Sequence, residues 1–381
     1  MLRSLPPEIL DLIVDHLHND RAALKACCAA SKSWIPRTRV HLFGRVEFST
    51  LRSPVEWWMK AFPDPSNSPA HHTRTLSIVG IRFTATAGTD AGPWIRAFNG
   101  VVHFRVDIFG WEQVSLVPFH GLPPTIRSLR LRCSSIPPSE VFDFVCSFPL
   151  LENLTLFAFG WTDRWSTPLT SPKLTGSLEL CNTIEGIGPA VHQLLGLPNG
   201  LHFTKIVLVC VNIADFRSTT DLVSGCSDTL EYLDITKCHS GVFFSGPYYL
   251  IGTSSLHLDP PTTTSFDLSR ATKLKELVFR CARPDAQWMA VALQTIKSKR
   301  LRQITINPYG TAFVLNATEE MIYREWEDLD RLLIQLWTSR SIRPKVVYEV
   351  RGEERSLGKY APNLLPELTR GGLVDVVERL S

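Results

Sequence analysis

The sequence predicts an α/β protein: a small N-terminal helical module, an irregular solenoid of stacked repeats with a parallel β-sheet, and a C-terminal helical cap. Three observations carry this. Residues 5–34 hold apolar side chains at helical spacing. At Thr73 the period changes to strand-like alternation. From Ile126 onward a leucine-x-leucine unit recurs every few tens of residues. The implied division is 1–43 for the module, 44–72 for a connection, 73–317 for the array and 318–381 for the cap.

The module comes first. Pro6 and Pro7 open a helix, where a missing backbone N–H costs nothing. Glu8 sets negative charge at the positive end of the helix dipole. Ile9, Ile13 and Leu17 fall four apart, with Leu10 and Val14 beside them, which makes a wide apolar stripe. Asn19-Asp20 breaks the run, and Asp20 is a good N-cap for a second helix. Leu24, Cys27, Cys28 and Ser31 continue one face, and Trp34 closes the segment. Two such short helices are marginal alone. They should lean on the rest of the chain on one side and on another protein on the other. Pattern alone favours a helical hairpin packed on its own domain.

The residue types add to the pattern. Leu5-Pro6, Glu8-Ile9, Ile13, Leu17, Leu24, Cys27 and Ala30-Ser31-Lys32-Ser33-Trp34 resemble an F-box of the fungal type. That motif reads Leu-Pro-x-Glu-aliphatic, then aliphatics at helical spacing, then Val-Cys-Arg-x-Trp. Ala30, Ser31 and Lys32 depart from its closing signature. Arg39-Val40-His41-Leu42-Phe43 is similar to the continuation of the motif in many fungal members. The resemblance implies docking on the Skp adaptor of a cullin-RING ubiquitin ligase, a helix-in-groove recognition. It assigns the contact role to Leu5, Pro6, Ile9, Leu10, Ile13, Leu17, Leu24 and Trp34, some of which must instead be internal core.

Along 44–72, Trp57-Trp58 can pack the module onto the array, and the breaker cluster Pro63 to Pro69 marks a surface loop. His71-His72 lacks a third ligand, which argues against a metal site. Thr75 to Ile78 and Val102 to Ile108 alternate as strands. The recurring units begin at Ile126, Leu151, Leu174, Phe203, Leu230, Leu274 and Leu301, so successive starts lie 25, 23, 29, 27, 44 and 27 residues apart. Five of these six spacings fall within the range of leucine-rich repeats. Each strand turns its leucines inward and buries them only when the next repeat stacks on it. Val141 to Phe148, Pro189 to Leu197, Phe216 to Cys226 and Asp285 to Ile296 supply helical return limbs. The 44-residue spacing holds an insertion, with Thr253 to Leu258 as a candidate strand. The array resembles a diverged leucine-rich repeat domain of the kind F-box proteins carry, with its usual asparagine mostly replaced. In the cap, Thr318 is read as an N-cap and Ile322, Trp326, Leu329, Leu333 and Leu336 as one face of a long helix. Lys345 to Val350 reads as a strand, and Leu364–Leu368 and Leu373–Leu380 read as short helices.

Composition narrows the function. The formal net charge of +3 over 381 residues gives no case for nucleic acid. No apolar run approaches the length of a membrane span. Glu8, Asp11 and Asp15 argue against a signal peptide. Nine cysteines, none spaced Cys-x-x-Cys, fit buried thiols in a reducing compartment, hence cytoplasm or nucleus. No phosphate loop, nucleophile elbow or metal motif occurs, so no enzyme and no cofactor are expected. What remains is a binding face of outward residues flanking the inward leucines: Arg130, Arg132, Asn153, Phe157, Glu179, Val207, Val209, Tyr232, Asp234, Glu276 and Arg280. Arg, Tyr and Phe tend to anchor interfaces. The expectation is a substrate receptor of a Skp–cullin ubiquitin ligase, holding the adaptor with its N-terminus and a target protein with its repeats. One alternative is a non-catalytic scaffold whose hairpin is only a structural cap. Another is an enzyme with a site assembled from distant residues.

Overall fold

The computed structural model describes residues 6–49, 55–80, 92–108, 115–133, 136–158, 170–182, 187–211, 215–237, 266–281, 286–308, 319–339, 343–351 and 364–379. The chain divides into two units, 1–152 with 163–172, and 153–162 with 173–381. Both are α/β, built from parallel strands laid down in chain order with helical or 3₁₀ segments on the return limbs.

The first unit opens with helices α1 (Pro7–His16), α2 (Arg21–Ala30) and α3 (Ile35–Phe43). Strand β1 (Arg45–Ser49) comes next, then α4 (Val55–Ala61), β2 (Thr75–Val79), α5 (Gly92–Ala97), β3 (His103–Ile108), β4 (Ser128–Cys133) and α6 (Pro138–Cys146). β1 pairs with β2, β2 with β3 and β3 with β4, all in parallel. Leu76, Phe104 and Leu129 stand in register, as do Ile78, Val106 and Leu131, and each of the six is at most 2% exposed. These two inward rows are the core that the alternation at Thr75–Ile78 and Val102–Ile108 and the Leu129-x-Leu131 unit predict.

The stretch expected to be a connection does more than connect, because it supplies β1. Of the two tryptophans there, only Trp58 packs. Its ring lies 5.7 Å from Phe48, 4.9 Å from Phe62 and 5.6 Å from Phe98, while Trp57 is 70% exposed. Phe43, at the end of α3, joins the same cluster edge-on to Trp58. The turn from α3 into β1 is tight: a Cβ on Gly44 would stand 2.7 Å from the Val40 carbonyl oxygen, so the junction requires glycine.

The second unit carries β5 (Asn153–Ala158), β6 (Ser177–Asn182), α7 (Gly188–Leu195), β7 (Lys205–Val211), α8 (Phe216–Gly225), β8 (Tyr232–Lys237), β9 (Glu276–Cys281), α9 (Gln287–Thr295) and β10 (Gln303–Pro308). A long helix, Glu319–Ser339, leads to β11 (Lys345–Arg351), and a short helix, Pro366–Arg370, leads to β12 (Val374–Arg379). β8 pairs directly with β9 across the long spacing. The candidate strand Thr253–Leu258 and the candidate cap Thr318 lie outside the described residues. The cap differs from expectation in one element. Leu373–Leu380 reads as a helix because leucines recur at its ends, yet Val374–Arg379 forms β12, parallel to β11. Three valines favour a pleated, half-buried surface, and pairing with β11 satisfies the backbone on one side.

A recurring hydroxyl ties successive strands together. Thr73 Oγ1 donates to the Phe43 carbonyl at 2.9 Å, and Thr125 Oγ1 to that of Val101 at 3.0 Å. In the second unit Thr204 Oγ1 reaches Gly176 O (3.1 Å), Thr229 Oγ1 reaches Phe203 O (3.0 Å) and Ser298 Oγ reaches Leu274 O (2.7 Å). Each bond ties the start of one repeat to the preceding one and satisfies a carbonyl between strands, for about 1 kcal/mol net. Asn153 acts similarly, its Oδ1 accepting from Ser177 N at 2.9 Å.

Candidate functional site

Two surfaces compete for attention: the N-terminal helices and the outer sheet faces. In the module, Pro7 stands at the first position of α1 and Glu8 in its first turn. Asp20 caps α2 through Oδ1, which accepts from Ala22 N and Ala23 N at 3.0 Å each. Asp15 pins α1 to α3: Arg37 Nε and Nη2 donate to its two oxygens at 2.6 Å each, and His41 Nε2 lies 2.7 Å from Oδ1. These partners hold the Asp15 carboxyl well below the usual carboxylate range, Arg37 foremost. Inside, Val14, Leu24 and Leu42 form a small core, with Leu17, Cys28 and Phe43 packed on it.

That core uses only one side of α1. Ile9, Leu12 and Ile13 are 43%, 56% and 38% exposed, and Pro6 is exposed before them. At about 100° per residue these three positions share one face, roughly opposite Val14. Among the sequence-derived adaptor contacts, Pro6, Ile9 and Ile13 therefore stand on an open ridge. Leu10, Leu17 and Trp34 are half-buried. Leu24 is fully buried and belongs to the core, which corrects its assignment as a contact. Leu5 lies outside the described residues. Leu12 is the residue that sequence reasoning missed; its position three after Ile9 was the available signal.

On the outer face of the second unit, Asn153, Phe157, Glu179, Val207, Val209 and Tyr232 are half-buried and Glu276 is exposed. Asp234 is not part of an open surface, being 2% exposed. Arg280 Nε and Nη2 donate to it at 2.9 and 2.7 Å, and the Tyr232 hydroxyl donates at 3.2 Å. Burial and this carboxylate push the Tyr232 phenol up to about 12. Lys205 Nζ sits 4.7 Å above the Tyr232 ring. Asp234 and Arg280 are thus committed to each other, and both are corrected from free contact residues to parts of an internal ion pair. Their 46-residue separation leaves no trace in the sequence.

On the first unit, Arg105 and Arg130 gather around Asp107, which is 1% exposed, and Arg132 is half-buried beside it in register. Register sets Arg105 opposite Arg130, and Asp107 opposite Arg132. Arg105 Nε donates to Asp107 Oδ2 at 2.7 Å, and Arg130 Nε lies 3.8 Å from Oδ1. The sequence pattern places Arg105 and Asp107 on a strand but not in a site.

No set of three His, Cys, Asp or Glu side chains suited to a metal ion occurs among the described residues. No helix among them is long and apolar enough to cross a membrane. The thiols of Cys146 and Cys226 are pushed up to about 12 by burial, which makes them poor nucleophiles. Comparison of the chain with known protein families and with curated proteins finds no match.

Proposed function

We propose that this chain is a non-catalytic substrate receptor of a cullin-RING ubiquitin ligase. Its N-terminal helices dock the Skp adaptor and its repeats hold a target protein. The observation that carries the reading is the ridge Pro6, Ile9, Leu12 and Ile13, left in water by a module whose own core is satisfied by Val14, Leu24 and Leu42. Exposed aliphatics grouped on one helix face mark a partner surface more often than chance scatter does. The F-box resemblance supplies the identity of that partner. The Phe43–Trp58 contact and the Gly44 junction fasten the module to the adjoining repeats of the same unit. A target held by those repeats would then gain effective concentration near a charged ubiquitin-conjugating enzyme.

The test is co-purification of the full chain with the Skp adaptor. Burying two aliphatics contributes about 3 kcal/mol or more, which is about a hundredfold in affinity. The double substitution Ile9→Asp plus Ile13→Asp should lower adaptor capture by that factor while leaving the far-ultraviolet circular dichroism unchanged. Equal capture of both proteins, or none by wild type, refutes the reading.

A further inference from the structure

We propose that the turns leading into β9 and β10 bind a short Asp/Glu-rich segment of a partner protein. The inference rests on reading the repeats as the target-binding part, and it names the chemistry of the target. Whole-chain charge hides this patch, because the formal net charge is only +3. Lys297, Lys299, Arg300 and Arg302 follow α9 closely, and all four are exposed. Exposed Arg270 and half-buried Lys273 stand on the neighbouring turn, before the paired strand β9. None of these six forms an ion pair among the described residues. Lys275, beside them, is already paired with Glu231 at 2.7 Å. The carboxylates within 267–276 and 296–303 are Asp267 and Glu276, so six unpaired cations stand against two anions. Lys275 foremost, then Arg300 and Lys273, hold the Glu231 carboxyl below its usual range, which sets these cations on one surface.

The two turns are stapled together, so the cations stand on a fixed backbone. Buried Ser298, between Lys297 and Lys299, donates through Oγ to the Leu274 carbonyl at 2.7 Å and lies 3.0 Å from that of Thr272. Arg302 N donates to the Lys275 carbonyl at 2.7 Å, and Leu268 N to Thr295 Oγ1 at 2.8 Å. A pre-set backbone lowers the ordering cost of binding. Charge alone is on offer here. Leu268, Leu274, Ile296 and Leu301 are at most 6% exposed, and neither turn carries an aromatic residue on which a base could stack. A nucleic-acid duplex repeats its charge about every 1.7 Å. Exposed Asp228 on the preceding turn and exposed Glu276 bound the positive area, so such a repeat soon meets like charge. A short run of carboxylates suits the patch better, met in a bidentate manner by guanidiniums and as point charges by ammoniums.

The experiment is fluorescence anisotropy with the full chain and a labelled twelve-residue Asp/Glu peptide. The comparison probes are the same peptide with Asn/Gln and a labelled twelve-base-pair DNA duplex. The acidic peptide should bind and weaken as salt rises, and the neutral peptide should not bind. An exposed charge pair carries about two- to threefold in affinity. Lys297→Gln plus Lys299→Gln plus Arg300→Gln should therefore lose about tenfold. Lys299→Gln alone should lose about twofold, which keeps the proposal falsifiable if the triple variant misfolds. Arg331→Gln, which removes an exposed cation on the long helix of the same unit, should leave binding unchanged. Equal losses from Lys299→Gln and Arg331→Gln would mean bulk charge alone and would overturn the proposal. It is also overturned if the acidic peptide fails to bind, if the neutral peptide binds equally, or if the duplex binds as tightly as the peptide. The assay contains no adaptor, so failure here with adaptor capture intact leaves the receptor reading standing.

Discussion

Asp107 and Asp234 are the same residue type in the same kind of place, a buried carboxylate on the outer face of a parallel sheet. Their surroundings differ. Asp234 takes a two-pronged bond from Arg280, whose side chain is 23% exposed, and a third donor from the Tyr232 hydroxyl. Both side chains of the pair are mostly buried. Asp107 bonds Arg105 and has Arg130 at 3.8 Å, and both of these arginines are more than a third exposed. The first cluster is a brace between β8 and β9. The second is a looser group whose two arginines reach water. A buried carboxylate can therefore sit in a mostly buried ion pair or be met by arginines that water also reaches.

The comparison can be tested from its strong end downward. Asp234→Ala leaves the mostly buried Arg280 without its partner, so the second unit should lose about 3 kcal/mol in urea denaturation. A loss under about 1 kcal/mol would show that Arg280 finds water or another acceptor. Asp107→Ala should cost less, about 1 kcal/mol, because Arg105 and Arg130 can turn to solvent; an equal cost in both variants would erase the distinction drawn between them. The third carboxylate–arginine cluster, Asp15 with Arg37 and His41, is the most exposed and should matter least. Its folded carboxyl lies below the ordinary value of 3.8, so its stabilisation is present above that pH and is lost as pH falls. Circular dichroism of wild type from pH 7 to pH 4 should be flat, with loosening of the module only at lower pH. Asp15→Asn should abolish that acid-dependent step, and an unchanged step would assign it to other carboxylates.

How much of this was legible in the chain varies by element. Leu129-x-Leu131, Leu154-x-Leu156 and Leu233-x-Ile235 located β4, β5 and β8 because inward positions must be apolar whatever their neighbours are. The return helices α6 to α9 fell within a few residues of the predicted limbs. β1 was missed because Val46 and Phe48 form too short an alternation to stand out without a partner strand. β12 was misread because its valines and the flanking Leu373 and Leu380 satisfy a helical period as readily as an extended one, and only β11 alongside it decides. The module's ridge was read in outline, with Leu24 on the wrong side and Leu12 overlooked.

The sequence by itself determined the strand-and-limb repeat, the helical start and the apolar character of α1, since periodicity and capping are local properties. Only the tertiary structure decided that Ile9, Leu12 and Ile13 remain in water while Leu24 does not, because burial depends on which helix face meets α3. It also decided that Asp234 finds Arg280 and that Asp107 meets Arg105 and Arg130. Those meetings are set by register between strands, and register is fixed by the inward rows beneath, not by the charged residues themselves.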